Sequence, residues 1–198
     1  MKIDRQALLD FMVPERREFH RHAESGFTEF WTASRVAGHL REAGYTLRVG
    51  REIMSAEHRM GLPPEAVLDS CRDRALAEGA DPALLEKMQG GFTAVAGEMH
   101  NGDGSVIGFR FDMDAVDVEE STAQEHLPAR EGFASLHKGS MHACGHDAHT
   151  VTGLALARLL AENRDSWRGT VKLVFQPAEE GVRGARSIAE SGYLDDVD

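Results

Sequence analysis

TVKLVFQPAEEG, residues 170–181, decides how this chain folds. The run TVKLVFQ is largely apolar and rich in β-branched residues, which predicts a buried strand. Pro177 ends it, because proline cannot donate to a sheet ladder. Such a strand delivers two adjacent carboxylates, Glu179 and Glu180, to its C-terminal end, the usual location of sites in α/β sheets. Adjacent residues off a helix point different ways, so one carboxylate can bind a metal while the other faces an activated water.

Working outward, Val151, Leu154, Ala155, Leu159 and Leu160 predict a helix over 147–162. FTAVAGEM (92–99) and SVIGFRFDMDAV (105–116) flank HNGDG (100–104) and read as a hairpin, since Asn-Gly is a strong turn signal. Residues 117–140 form an irregular polar connection. Residues 52–90 are charged and Ala-rich, punctuated by Pro63, Pro64 and Pro82, and read as an insertion with short helices at 64–78 and 82–88. Upstream lie a strand at 45–50, a helix at 29–43 stopped by Gly44, and a helix at 5–24 broken near Pro14. A last helix spans 183–191. Helices alternating with strands imply a layered α/β domain. Arg16, Arg17, His20 and His22 read as a solvated helix face, Cys71 as a packing residue, and Trp31 and Trp167 as core or rim.

The chain has 198 residues, enough for one sizeable domain. Its formal net charge is −11, which disfavours nucleic acid and anionic membranes as partners. No apolar run approaches the roughly 18–20 residues of a membrane helix, and Asp4, Arg5 and Asp10 interrupt any signal-peptide core. Two cysteines, Cys71 and Cys144, make no disulfide framework, and a reducing, cytoplasmic setting is the natural expectation.

The densest chemistry lies in MHACGHDAH (141–149), where His142, Cys144, His146, Asp147 and His149 place five potential ligands within eight residues just before a helix. Gly145 gives the backbone freedom to aim Cys144 and His146 at one ion. Imidazole with a single thiolate suits zinc, cobalt, nickel or manganese, and one cysteine argues against a closed structural zinc site. Asp147 has two readings, an acceptor for a ligand histidine or a helix cap. Asp112-Met113-Asp114 ends another strand and reads as ligand, as support for ligands, or as strand-end turn chemistry.

With these residues in hand, the chain resembles the amidohydrolase branch of the carboxypeptidase/aminoacylase metallopeptidases. The resemblance runs over nearly the whole chain and includes RREFHRHAESGFTEF (16–30), GREIMSAEHRMGLP (50–63), GGFTAV (90–95), FRFDMDAVD (109–117), REGFAS (130–135) and FQPAEEGVRGAR (175–186). The charged insertion with RMGLP is similar to that of the members acting on p-aminobenzoyl-glutamate. The resemblance implies an α/β/α zinc-peptidase-like catalytic domain and two divalent metal ions, manganese or zinc. It implies Cys144, His146 and Glu180 as metal ligands and Glu179 as general base. It implies cleavage of the amide of p-aminobenzoyl-glutamate to p-aminobenzoate and glutamate, with other N-acyl amino acids as the alternative small-molecule substrates. It also implies that residues 1–198 are the N-terminal part of the catalytic domain, with a C-terminal part and a dimerisation domain outside them. The latter would serve a homodimer or partner subunit. Taken alone, the chain would then lack ligands, and an inactive fragment that binds metal or a partner is the competing expectation.

Overall fold

A computed structural model describes residues 2–198. The architecture is α/β, as expected. Helix α1 (Arg5–Arg21) is followed by α2 (Phe30–Glu42), strand β1 (Thr46–Val49), α3 (Glu65–Ala77) and α4 (Pro82–Lys87). Then come β2 (Val95–Asn101), β3 (Val106–Asp112), a one-turn α5 (Leu127–Arg130), α6 (His146–Glu162), β4 (Gly169–Gln176) and α7 (Ala185–Ala189). The two insertion helices predicted at 64–78 and 82–88 are α3 and α4.

Asp4 caps α1 by accepting the Ala7 N–H at 3.1 Å. Contrary to the expected break, α1 runs unbroken through Pro14. Pro14 deprives the Asp10 carbonyl of a partner, but both residues face water, which satisfies that oxygen. Helix α2 ends as predicted at Gly44, whose φ is +84°. There the Tyr45 N–H reaches Leu40 O and the Gly44 N–H reaches Arg41 O, the paired bonds of a glycine-terminated helix.

The sheet order is β1-β2-β4-β3, with β2 antiparallel and β3 parallel to β4. This corrects the expected β2–β3 hairpin, because β4 lies between those two strands. Asn101 is not a turn residue. It is the last residue of β2, and its Nδ2 donates to Arg164 O and Trp167 O, both at 2.7 Å. Those bonds tie the end of β2 to the segment leading into β4. A Cβ on Gly169 would sit 2.3 Å from Ser105 O, so only glycine lets β4 enter the fork.

Helices α2 and α6 cover one face of the sheet, and α1 packs on α6. Gly153 permits that approach: a Cβ there would meet Phe111 at 2.7 Å and Phe175 at 2.8 Å. On the opposite face Lys172, almost fully buried, donates to Tyr193 O at 2.8 Å and to Asp196 at 2.5 Å. The turns after α7 therefore cover that face at β4. No described helix is long and apolar enough to cross a membrane.

The N-terminal helices are clasped by one ion pair. Arg35 on α2 donates twice to Glu15 on α1, both bonds at 2.8 Å, and His39 adds a third at 3.0 Å. Partial burial disfavours the charge on Glu15, but the bonds from His39 and Arg35 outweigh it and hold its pKa at about 2. A depressed carboxyl pKa contributes stability above the unfolded value near 4.5 and loses it as pH falls toward 2. After discounting for solvent screening, the contribution is on the order of 1–2 kcal/mol. Thermal melts should therefore place Glu15→Gln below the native chain at pH 6, with the gap closing at pH 2. Equal melting at pH 6 would contradict the ion-pair account.

Candidate metal centre

Three segments converge where the parallel strands β3 and β4 end: Asp112–Asp114, Gly145–His149 and Pro177–Glu180. Gly145 takes φ +79° and turns the chain into α6, so that His146, its first residue, points back at the strand ends.

His146 is buried, and its Nδ1 donates to Asp114 O at 2.9 Å. That bond leaves Nε2 as the nitrogen available to a ligand. Nε2 lies 3.7 Å from Glu179 Oε2 and 3.8 Å from Glu180 Oε1. Glu180 Oε1 is buried and has no hydrogen-bond partner among the described residues. A nitrogen and two carboxylates thus share a small space, their ligand atoms all within 4.8 Å of one another, which fits a divalent cation. Burial lowers the basicity of His146, but the carboxylates of Asp114 and Asp112 overcome it and raise its pKa to about 9. A cation bound here must therefore displace a proton from Nε2.

Of the residues expected at the site, the fold brings His146, Glu179 and Glu180 together. Cys144 is exposed and stands outside that cluster. The carboxylate of Glu180, and after it those of Glu179 and Asp114, raise its pKa. A cation between them would favour the thiolate.

Asp114 organises the whole centre. It is buried, its carbonyl fixes His146, and its two carboxylate oxygens each accept a backbone N–H, from Glu179 and Glu180, both at 3.0 Å. Asp112 faces a second group with His146 and His149: its Oδ1 accepts the His149 Nδ1 hydrogen at 2.6 Å and its Oδ2 accepts from Arg110 at 2.5 Å. Both groups draw on the same His146 Nε2, and Asp112 is already engaged by two donors, so the glutamate side is the better-prepared ligand set.

Two expectations need correction. Asp147 does not hold His146, and it meets the start of α6 by one bond, its Oδ1 accepting the Ala148 N–H at 2.8 Å. Its Oδ2 accepts from His20 Nδ1 at 2.9 Å and Arg16 Nε at 3.1 Å, anchoring α1 to α6. Nor do the four residues at the end of α1 form one solvated face: Arg16 stays exposed and Arg17 partly so, but the two histidines pack inward. His20 is buried and reaches Glu120 Oε1 at 2.9 Å with its other nitrogen, while His22 stacks on Trp31 at 3.8 Å between centroids. Burial works against protonating His20, but Asp147 and Glu120 raise its pKa. His142, between these groups, is buried with neither ring nitrogen bonded among the described residues, and desolvation pushes its pKa down to about 4.

The carboxylate loop is conformationally costly. Ala178 and Val182 adopt φ of +51° and +58°, a region uncommon for non-glycine residues and more so for a β-branched one. Gly184 makes the turn possible, since a Cβ there would lie 1.9 Å from Pro177 O.

The chain is similar to known proteins in sequence and in fold. Residues 108–198 match the model of Peptidase family M20/M25/M40. The chain is 48% identical over 192 residues to indole-3-acetyl-aspartic acid hydrolase of Enterobacter agglomerans, an alignment covering 96% of this chain and 44% of that protein. It is 48% identical over 184 residues to one of the subunits of p-aminobenzoyl-glutamate hydrolase of Escherichia coli K12, covering 92% and 42%. The crystal structure of an aminobenzoyl-glutamate utilization protein from Klebsiella pneumoniae superposes with a TM-score of 0.81 at 39% identity, over 98% of this chain and 42% of that one. Bacillus subtilis YxeP, described as a dinuclear metal-binding peptidase of the M20 family, gives 0.70 at 32% identity, over 98% and 42%. The chain thus spans about two-fifths of the length of these relatives. With its ligand cluster at the ends of β3 and β4, the chain is similar to the M20/M25/M40 family of peptidases, whose model it matches over residues 108–198.

Proposed function

We propose that this chain carries part of the catalytic centre of a metal-dependent hydrolase of N-acyl amino acids, with p-aminobenzoyl-glutamate as substrate. One observation carries the reading: His146 Nε2, Glu179 and Glu180 converge on a common space, and Glu180 Oε1 has no partner there among the described residues. Cys144, His146 and Glu180 would hold the metal, and Glu179 would remain free as the base. Two divalent cations, manganese or zinc, suit this mixed thiolate, imidazole and carboxylate set. The remaining ligands, and a surface for a second copy or partner subunit, are assigned to protein outside residues 1–198.

When bound, the metal polarises the scissile carbonyl and acidifies water. Glu179, about one-third exposed, takes a proton from the attacking water as its oxygen bonds to the amide carbon. Glu179 then returns that proton to the amide nitrogen, the C–N bond breaks, and a carboxylic acid and an amine leave. Asp114 keeps Glu179 directed at the reacting atoms by holding its N–H.

The named substrates of two relatives, indole-3-acetyl-aspartate and p-aminobenzoyl-glutamate, both join an aromatic acyl group to an acidic amino acid. Equal identity to both makes the indole conjugate the second reading. Rates of the complete, metal-loaded protein on both conjugates and on benzoyl-glycine decide the matter. Fastest turnover of p-aminobenzoyl-glutamate is expected, and faster cleavage of benzoyl-glycine would sink the assignment to acidic conjugates.

A further inference from the structure

The loop that carries Glu179 and Glu180 is held from below by a carboxyl group that takes no part in the ligand set. Glu29 immediately precedes α2, with a completely buried side chain. A short side-chain acceptor at that position would ordinarily cap the helix. Here Glu29 does not, because Glu24 already accepts the Trp31 and Thr32 N–H groups at 3.2 and 2.9 Å. Glu29 instead reaches across to the end of β4. Its Oε1 accepts the Ala178 N–H at 2.8 Å, and its Oε2 accepts the Thr93 hydroxyl at 2.6 Å.

Burying a carboxyl group is costly, and neither capping nor core filling accounts for it at this position. What it secures is the left-handed turn at Ala178. Around that residue the N–H is held by Glu29, while the carbonyl accepts from Gly184 at 2.8 Å and Arg183 at 3.2 Å. The next two amides, of Glu179 and Glu180, go to Asp114. Three consecutive amides therefore rest on two buried carboxyl groups. Asp114 also fixes His146, whereas the hydrogen bonds of Glu29 reach the centre only through Ala178.

We propose that Glu29 is a positioning residue: fixed by Thr93, it holds the Ala178 N–H and thereby sets the direction in which Glu179 and Glu180 leave β4. This inference rests on the reading of those glutamates as hydrolytic machinery. Burial, with Asp114 beside it, pushes the Glu29 pKa up to about 8, so an uncharged side chain with the same acceptor is a fair mimic. Glutamine keeps an oxygen for the Ala178 N–H. Methionine fills similar space and offers none.

The test compares Glu29→Gln and Glu29→Met in the complete protein by two readouts. Amide hydrogen exchange of residues 177–184 is measured without metal, and kcat and KM are measured with metal on p-aminobenzoyl-glutamate. Losing one buried acceptor should speed exchange in that segment about tenfold in Glu29→Met, with β4 and α6 unchanged. Misdirected carboxylates should lower kcat about tenfold or more with little change in KM, and Glu29→Gln should match the native protein on both counts. Unchanged exchange and kcat in Glu29→Met, or equal damage by Glu29→Gln, would overturn the proposal. If Glu29→Met loosens the whole chain, Thr93→Val decides instead, since it removes only the hydroxyl that fixes Glu29. Local loosening at 177–184 is expected there, and its absence would also overturn the proposal. If the native protein cleaves no amide, the hydrolase reading falls, while the exchange comparison still decides the role of Glu29.

Discussion

Glu179→Gln should remove amide hydrolysis by about a thousandfold while leaving metal content unchanged, within the range that a positioned acid–base group contributes. Glutamine keeps the volume and the backbone bond to Asp114, because that bond comes from the Glu179 N–H and not from its side chain. What it loses is the ability to accept a proton from water and return it to the leaving nitrogen. Glu180→Gln should behave differently. Its Oε1 lacks any partner among the described residues, so replacing the carboxylate weakens the hold on the cation, and excess metal should recover part of the rate. Turnover and bound metal, measured together on both variants, separate the roles. Unimpaired turnover by Glu179→Gln, or metal loss equal to that of Glu180→Gln, would remove Glu179 from its assigned place.

Much of this centre is legible in the sequence because its parts are short and contiguous. MHACGHDAH and QPAEEG each put their groups beside a strand or helix end that local pattern reveals, and the fold joins them as β4 and α6 suggest. Strand order is a different kind of fact. Asn101-Gly102 at the end of β2 marks a change of direction, since β2 and β3 do run opposite ways, but no local pattern announces that β4 is laid between them. The buried polar residues are harder still. His20 and Asp147 meet across more than a hundred residues of chain, and each alone looks like an ordinary solvent-facing side chain. Glu29 hides for a similar reason: ESGFTEF contains two glutamates of the same type, and only tertiary contact makes one a helix cap and the other a support for Ala178.

Asp114→Asn should cost more than its near-identity of shape suggests. Both oxygens of Asp114 accept at once, from the Glu179 and Glu180 N–H groups. Asparagine has one oxygen, so its amide NH₂ must face one of those N–H groups, donor against donor, in a place without solvent access. The same carboxylate stands 3.3 Å from His146 Nδ1, so its loss also weakens the field that favours a cation beside Nε2. A buried donor left unsatisfied costs about 1–3 kcal/mol, more where charge is involved. Melting of the metal-free protein should fall by roughly 5–10 °C, given about 2–4 °C per kcal/mol for a chain of this size. Metal affinity should drop about 10–100-fold, the usual effect of losing a group that orients ligands. Glu29→Gln supplies the contrast within one loop, because Glu29 offers one oxygen to the backbone and the other to a hydroxyl that can reverse its role. If calorimetry and metal titration found Asp114→Asn as mild as Glu29→Gln, the two-oxygen grip on the carboxylate loop would not be what holds the site in shape.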